Sequence, residues 1–263
     1  SATRSIVTMQ EYRSWVARPR TEVKAFEVTR DDVRRVFDKV RSQGRNYVHE
    51  TEAMEVLKFY GFHIPKSQLT TTEDECAKLS EEIGYPVVLK VSSPNIVHKT
   101  DVGGVELNLK NTLEVREAFR RIIENAKRSK GDAKIQVGVN VQEFVANGKE
   151  MIIGMKRDPQ FGPLLMFGLG GIYVQVFRDI SFRLAPIKEL GARHMIESTK
   201  ASKLLLGVRG EKPSDIESVV ESLQRMSQLV MDFPEIQEID INPLLVFEQG
   251  KGCKVVDARI VIS

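Results

Sequence analysis

The sequence has no long apolar run. Its most hydrophobic stretches, such as Pro163-Leu-Leu-Met-Phe167, fall far short of the roughly 20 residues a membrane-crossing helix needs. The opening Ser1-Ala2-Thr3-Arg4 carries no apolar segment of a secretion signal, so an intracellular, cytoplasmic protein without membrane contact is expected. Only Cys76 and Cys253 could pair, and they stand far apart with no C-x-x-C spacing, which argues against a disulfide framework or a zinc site. Charge of one sign is not dominant either. The 39 Lys and Arg and 36 Asp and Glu leave a net +3, with no basic stripe interleaved with aromatics, so no nucleic-acid partner is expected. The phosphate loop G-x-x-x-x-G-K-[ST] and the dinucleotide loop G-x-G-x-x-G do not occur, nor do G-x-S-x-G and H-E-x-x-H.

What is present is ordinary globular material, 41% hydrophobic and 29% charged, enough for one large domain or two lobes around a cleft. Residues 1–45 are rich in arginine, with one helix expected over 31–42, and read as a helical N-terminal extension. From Glu50, helical spacing of Ala53, Val56, Leu57 and Tyr60 stops at Gly61. Thr72 and Glu75 form a capping-box pattern opening a second helix that Gly84 closes. A buried-strand run over 87–91, a loop over 92–104 and an alternating strand over 105–109 follow. A third helix, capped by Asn111 and Glu114, has Val115, Phe119, Ile122 and Ala126 on one face. Past Gly131 the texture turns to strands, over 135–145, 150–155, 164–167 and 173–177. Helices are expected over 189–206 and 215–232, then two closing strands. The whole reads as α+β, divided into an extension (1–45), a first lobe (46–136) and a second lobe (137–263).

Spacing alone yields one site. Glu238-Ile-Asp-Ile-Asn242-Pro alternates polar and apolar and turns at Gln249-Gly250 toward Asp257-Ala-Arg259. A hairpin turning there sets Asn242 opposite Asp257, with Asp240 on the same face. Three oxygen-bearing side chains suit a hard cation such as Mg2+, which takes one or two protein carboxylates and completes its shell with water or phosphate. Rim residues and a turn before Pro243 are the competing reading, and Pro243 threatens the register.

Lys90 interrupts an otherwise apolar strand, so its ammonium either reaches the strand's end or meets an anion. The loop after it, holding His98, Lys99, Asp101 and Gly103-Gly104, has the small residues that let backbone N–H groups approach phosphate. His98 is either a phosphate acceptor or a surface histidine. Gly168-Leu-Gly170-Gly171 is either a close-approach loop or a tight turn. Glu150, at the start of an apolar strand, and Arg183 are each read as ligand-binding or as plain structural residues.

Together these segments resemble the nucleotide-binding β subunit of ADP-forming acetate–CoA ligase, in the ATP-grasp superfamily and akin to the succinyl-CoA synthetase β chain. The resemblance runs from about Tyr47 to Ile262. It rests on Ile83-Gly-Tyr-Pro-Val-Val-Leu-Lys90, His98-Lys-Thr-Asp-Val-Gly-Gly104, Arg157-Asp-Pro-Gln-Phe-Gly-Pro163, Phe167-Gly-Leu-Gly-Gly171, Ser181-Phe-Arg-Leu-Ala-Pro186, Arg209-Gly-Glu-Lys-Pro213 and Glu238-Ile-Asp-Ile-Asn-Pro243, in that order. It implies an ATP-grasp fold whose two lobes clamp ATP or ADP, and Mg2+ held by Asn242, Asp257 and Asp240. It further implies that Lys90 and Arg183 meet phosphates, that Glu143-Phe144-Val145 reads adenine and that Glu150 holds ribose. His98 would carry the phosphate as a phosphohistidine. The implied reaction is acyl-CoA + ADP + phosphate ⇌ acid + CoA + ATP, shared with a CoA-binding α subunit in an α2β2 heterotetramer. A ligase of succinate or another acid, and a non-catalytic ATP-sensing module, are the alternatives.

Overall fold

In the computed structural model the described residues are 22–93, 96, 99–130, 137–171, 179–208 and 210–263, with positions 6, 7, 9, 10 and 13 before them. The strand expected over 173–177 lies outside these residues.

Four strands, β2 (Ser67–Thr70), β3 (Val87–Ser92), β4 (Val105–Leu109) and β5 (Gly138–Glu143), form a small antiparallel sheet in the order β2-β5-β3-β4. Strand alternation sends Leu89, Val91, Val139 and Val141 to one face, where helices α3 (Glu73–Ile83) and α4 (Thr112–Lys130) cover them. Cys76 and Leu79 of α3 and Val115, Phe119, Ile122 and Ala126 of α4 complete that core. The other face presents Val88, Lys90, Asn140 and Gln142. The capping box of α3 forms by half. The Thr72 hydroxyl accepts the Glu75 N–H at 3.3 Å, while the Glu75 carboxylate takes the Thr70 hydroxyl at 2.6 Å instead of returning to Thr72.

The larger sheet runs β1-β11-β9-β6-β7-β8, with β10 also on β9. Its strands are β1 (Tyr47–Val48), β6 (Lys149–Asp158), β7 (Gly162–Leu169), β8 (Ile180–Leu184), β9 (Ile236–Val246), β10 (Cys253–Val255) and β11 (Ala258–Ile262). One face is buried under α1 (Arg30–Ser42), α2 (Glu50–Phe59), α5 (Glu189–Glu197), α6 (Ala201–Leu205) and α7 (Ile216–Asp232). The helix expected over 189–206 breaks in two. The Ser198 and Thr199 hydroxyls turn back onto the Met195 and Ile196 carbonyls, and the Asp179 carboxylate caps the N–H groups of Lys200 and Ala201 at 2.7 Å each. The Arg157–Pro163 phrase is architectural: Asp158 accepts two N–H groups of the β6–β7 turn, and Arg157 donates to the Val230 and Ile236 carbonyls. Both cysteines are buried and free.

Sheet membership departs from the division expected from sequence. β5 lies past residue 136 yet pairs with β2 and β3, because Val139 and Val141 complete the small core. Conversely β1 pairs with β11, and α2 buries Ala53, Met54, Val56 and Leu57 in the large core. The chain starts in the larger unit, leaves it near Lys66 and returns after Glu143, and these two crossings are bonded together: Glu143 N–H donates to the Lys66 carbonyl at 2.8 Å. The N-terminal segment is likewise no loose arm from Phe26 onward. Gln228 bonds both the Phe26 N–H (2.7 Å) and its carbonyl (3.0 Å). Val33, Phe37 and Val40 of α1, one helical face, are fully buried, with Phe37 edge-on to Phe233 at 5.4 Å.

Replacing Phe37 by Ala is therefore expected to destabilise the fold by about 3–5 kcal/mol in urea unfolding. A cost under about 1 kcal/mol would mean that α1 is dispensable to the core.

Candidate functional site

The polar face of the small sheet meets the large sheet where β10 gives way to β11. Lys90 stands in mid-strand with its stem buried. Its Nζ donates to Glu50 Oε1 at 2.8 Å and to the Val256 carbonyl at 2.9 Å. Gln142 donates to the same carbonyl at 3.3 Å. The second Glu50 oxygen pairs with Lys99, whose Nζ lies 3.9 Å from Asp257. Of the two fates open to Lys90, it meets an anion. Glu50 and Lys90 are 8% and 5% exposed, so each charge depends on the other. Burial raises the Glu50 carboxyl, but Lys90 and Lys99 outweigh it and hold the group below its ordinary value. Burial acts to lower Lys99, and Glu50 and Asp257 overcome it and raise it. The end of the loop after β3 is pinned here as well, since Val91 N–H bonds the Gly104 carbonyl and Gly104 N–H bonds that of Lys99, at 2.7 and 2.8 Å.

The hairpin has the register expected of it. Ala258 faces Ile241, Val255 faces Leu244, and between them Asn242 N–H donates to the Asp257 carbonyl at 3.2 Å. The disturbance anticipated at Pro243 falls on the opposite edge of β9. There Met151 faces Leu244 but Ile153 faces Ile241, so Ile152 alone opposes Asn242 and Pro243. Asp240 faces Arg259 one step along. Its Oδ1 is buried and finds no hydrogen-bond partner among the described residues. Burial, then the negative charges of Glu238 and Asp257, push its carboxyl above the ordinary range. The Asp257 carboxyl is raised too, by burial first and then by Glu50, against the pull of the two lysines. Two carboxylates and an amide, all oxygen donors and one of them an orphan, fit a magnesium-like cation.

Two glycines complete this corner. Gly170 N–H donates to the Glu150 carbonyl at 2.9 Å and Gly171 N–H to Asn242 Oδ1 at 3.3 Å. A Cβ on Gly170 would lie 2.8 Å from the Met151 backbone, so that glycine serves close approach, while Gly171 takes a positive φ of 66°. Glu150 itself is exposed, the second residue of β6. Glu143 ends β5, its carboxylate taken up by Lys254 Nζ at 2.9 Å and by Lys66 N–H at 3.2 Å. Phe144 and Val145 lie beyond that strand, with Phe144 N–H on the Pro86 carbonyl at 3.2 Å, in the segment that carries the chain back to the large sheet.

Not every expected residue converges. Arg183 faces Leu165, which faces Met155 and through it Ile239, and these three are core residues; the Arg183 side chain therefore points to the helix-covered face, beside Gly191. The reason is parity: Arg183 and Asp240 sit on strands whose pairing puts them on opposite sides of the sheet. His98 lies outside the described residues. Glu50, the carboxylate at the centre of the cluster, escaped the sequence reading because an acid in the first turn of a helix is ordinarily explained by the helix dipole.

Among the described residues no helix is long and apolar enough to cross a membrane. The family model for the ATP-grasp domain matches residues 39–262. A 4-hydroxybutyrate–CoA ligase [ADP-forming] from Nitrosopumilus maritimus (strain SCM1) is 49% identical over 98% of this chain, which spans only 37% of that protein. Subunit beta of acetate–CoA ligase [ADP-forming] I from Pyrococcus furiosus is 47% identical, covering 87% of this chain and 97% of its own. An acetyl-coenzyme A synthetase 1 from Ca. Korarchaeum cryptofilum, solved with coenzyme A and Mg-AMPPCP and with its phosphohistidine segment pointing towards the nucleotide-binding site, superposes with a TM-score of 0.77 at 44% identity. It covers 88% of this chain and 100% of that one.

Lys90→Met leaves Glu50 buried with one cation fewer, and is expected to cost about 3 kcal/mol of stability by denaturant titration. A neutral result would mean that water or Lys99 satisfies the carboxylate unaided.

Proposed function

The chain belongs to the ATP-grasp family, and from that membership and the geometry above we propose that it is the nucleotide-binding half of an ADP-forming acyl-CoA ligase. One observation carries the reading: Lys90 of the small sheet and the Asn242–Asp257 pair of the large one come together on either side of the Val256 carbonyl. A polyphosphate placed between the sheets meets an ammonium from one and oxygen ligands for its cation from the other.

In this assignment Asn242, Asp257 and Asp240 hold Mg2+, which when bound neutralises the polyphosphate charge. Lys90 offers the third of its N–H groups to phosphate, the other two being engaged by Glu50 and Val256. Glu143, Phe144 and Val145, at the crossing between the sheets, read the adenine edge, and Glu150 takes the ribose hydroxyls. Arg183 has no part, since it points to the other face. His98 receives the phosphate from the partner's side and passes it to ADP. In that step the N–P bond to imidazole breaks, a bond to the terminal ADP oxygen forms, and the imidazole recovers a proton. Positioning and charge neutralisation supply most of what phosphoryl transfer demands.

The overall conversion is acyl-CoA + ADP + phosphate ⇌ acid + CoA + ATP. It requires a CoA-binding module, supplied by an α subunit in an α2β2 assembly or by the same polypeptide, as relatives of both lengths exist. The acid is selected on that module, consistent with near-equal identity to relatives named for acetate and for 4-hydroxybutyrate. The setting is cytoplasmic.

The test is reconstitution with the CoA-binding partner and assay of ATP formation from an acyl-CoA panel, ADP and phosphate. No turnover with any acyl-CoA, in a complex that binds both ligands, would overturn the assignment. Asp257→Asn is expected to weaken MgADP binding at least about tenfold in calorimetry, with ADP alone much less affected. His98→Ala is expected to abolish phosphate transfer from labelled ATP to protein while nucleotide affinity stays within about twofold.

A further inference from the structure

Glu50 has no place in the assignment above, yet it is the anion on which both lysines of the site converge. One oxygen holds Lys90 at 2.8 Å and the other holds Lys99, so the carboxylate bridges two ammonium groups much as a phosphate would. Its anchorage differs from theirs. Glu50 opens α2, whose Ala53, Met54, Val56 and Leu57 are locked in the large core, whereas Lys90 and Lys99 belong to β3 and the loop that follows it. The three charges thus form an ionic clasp across the two units.

We propose that Glu50 is a built-in competitor anion, which shares Lys90 and Lys99 with the polyphosphate and sets its affinity by drawing on the charge of both lysines. This rests on the nucleotide reading of the site. Lys90 shared with Glu50 attracts a phosphate less than a free ammonium does. Lys99 directly follows His98, so the same carboxylate ties the end of the histidine loop to α2 until a phosphate takes over part of its load. The competition keeps nucleotide exchangeable, which a reversible relay needs, because ATP must leave after each transfer. Glu50 is in these terms a positioning residue, acting through Lys90 and Lys99.

The experiment compares wild type, Glu50→Gln and Glu50→Asp, each checked for its thermal transition, in MgADP calorimetry and in turnover of the reconstituted enzyme. Glu50→Gln removes the competing charge and is expected to tighten MgADP binding by about fivefold or more while lowering kcat, as release slows. Glu50→Asp keeps the charge but cannot span both lysines, and falls between the two. A folded Glu50→Gln whose MgADP affinity is unchanged or weaker overturns the proposal and reduces Glu50 to a structural ion pair. If the glutamine variant does not fold, the aspartate variant decides by the same sign. A wild-type chain that binds no MgADP would remove the nucleotide reading and this proposal with it, whereas wild-type binding without tightening in the variants removes the role of Glu50 alone.

Discussion

A buried ammonium needs an anion, and much of this molecule is arranged around that requirement. Lys90 is placed inside an apolar strand, too far from the rim to reach water freely, and the carboxylate that answers it arrives from a different structural unit. The solution ties the polar face of one sheet to a helix rooted in the other. The Val256 carbonyl, free because β10 ends before β11 begins, accepts the second Lys90 bond and draws the hairpin into the same point. Packing alone would leave these elements adjacent; the ionic cluster fixes which side chains face one another.

The hairpin contributes in a different manner. Residues proposed as cation ligands must hold their separation, and strands hold it better than loops do. Asn242 lies directly before Pro243, a residue with no N–H to offer a ladder, and the missing bond is absorbed against β6, where Ile152 spans two residues. The edge facing β10 and β11 thereby keeps an undisturbed register through the Asn242–Asp257 pair. The irregularity falls on the β6 side of the strand.

Legibility in the sequence followed the range of the interaction. The Asn242–Asp257 pairing needed only a two-residue period and a glycine turn between near neighbours, and it was readable. Lys90 stood out because a charge breaks an apolar run. The α4 face of Val115, Phe119, Ile122 and Ala126 was equally plain from helical spacing. Glu50 was invisible as a partner of Lys90, since 40 residues separate them and nothing local marks the acid as anything but a helix-start residue. Arg183 was assigned by its neighbours in sequence, but which face it occupies depends on the pairing of β8 through β7, β6 and β9, a chain of registers no local pattern encodes. The unit boundary at 136 failed for a related reason: whether an apolar strand such as β5 joins the sheet before it or after it is decided by the partner strands.

The adjacency of Lys66 and Glu143 has a consequence for how the molecule is assembled. The small unit is an insertion whose entrance and exit touch, so the larger body sees in its place little more than a short closed loop. Its core can then condense without waiting for the inserted layer to order, since the loop-closure cost grows only slowly with the length of the excursion. The bonded crossing is also held from the larger body, where Lys254 pairs with the Glu143 carboxylate at 2.9 Å.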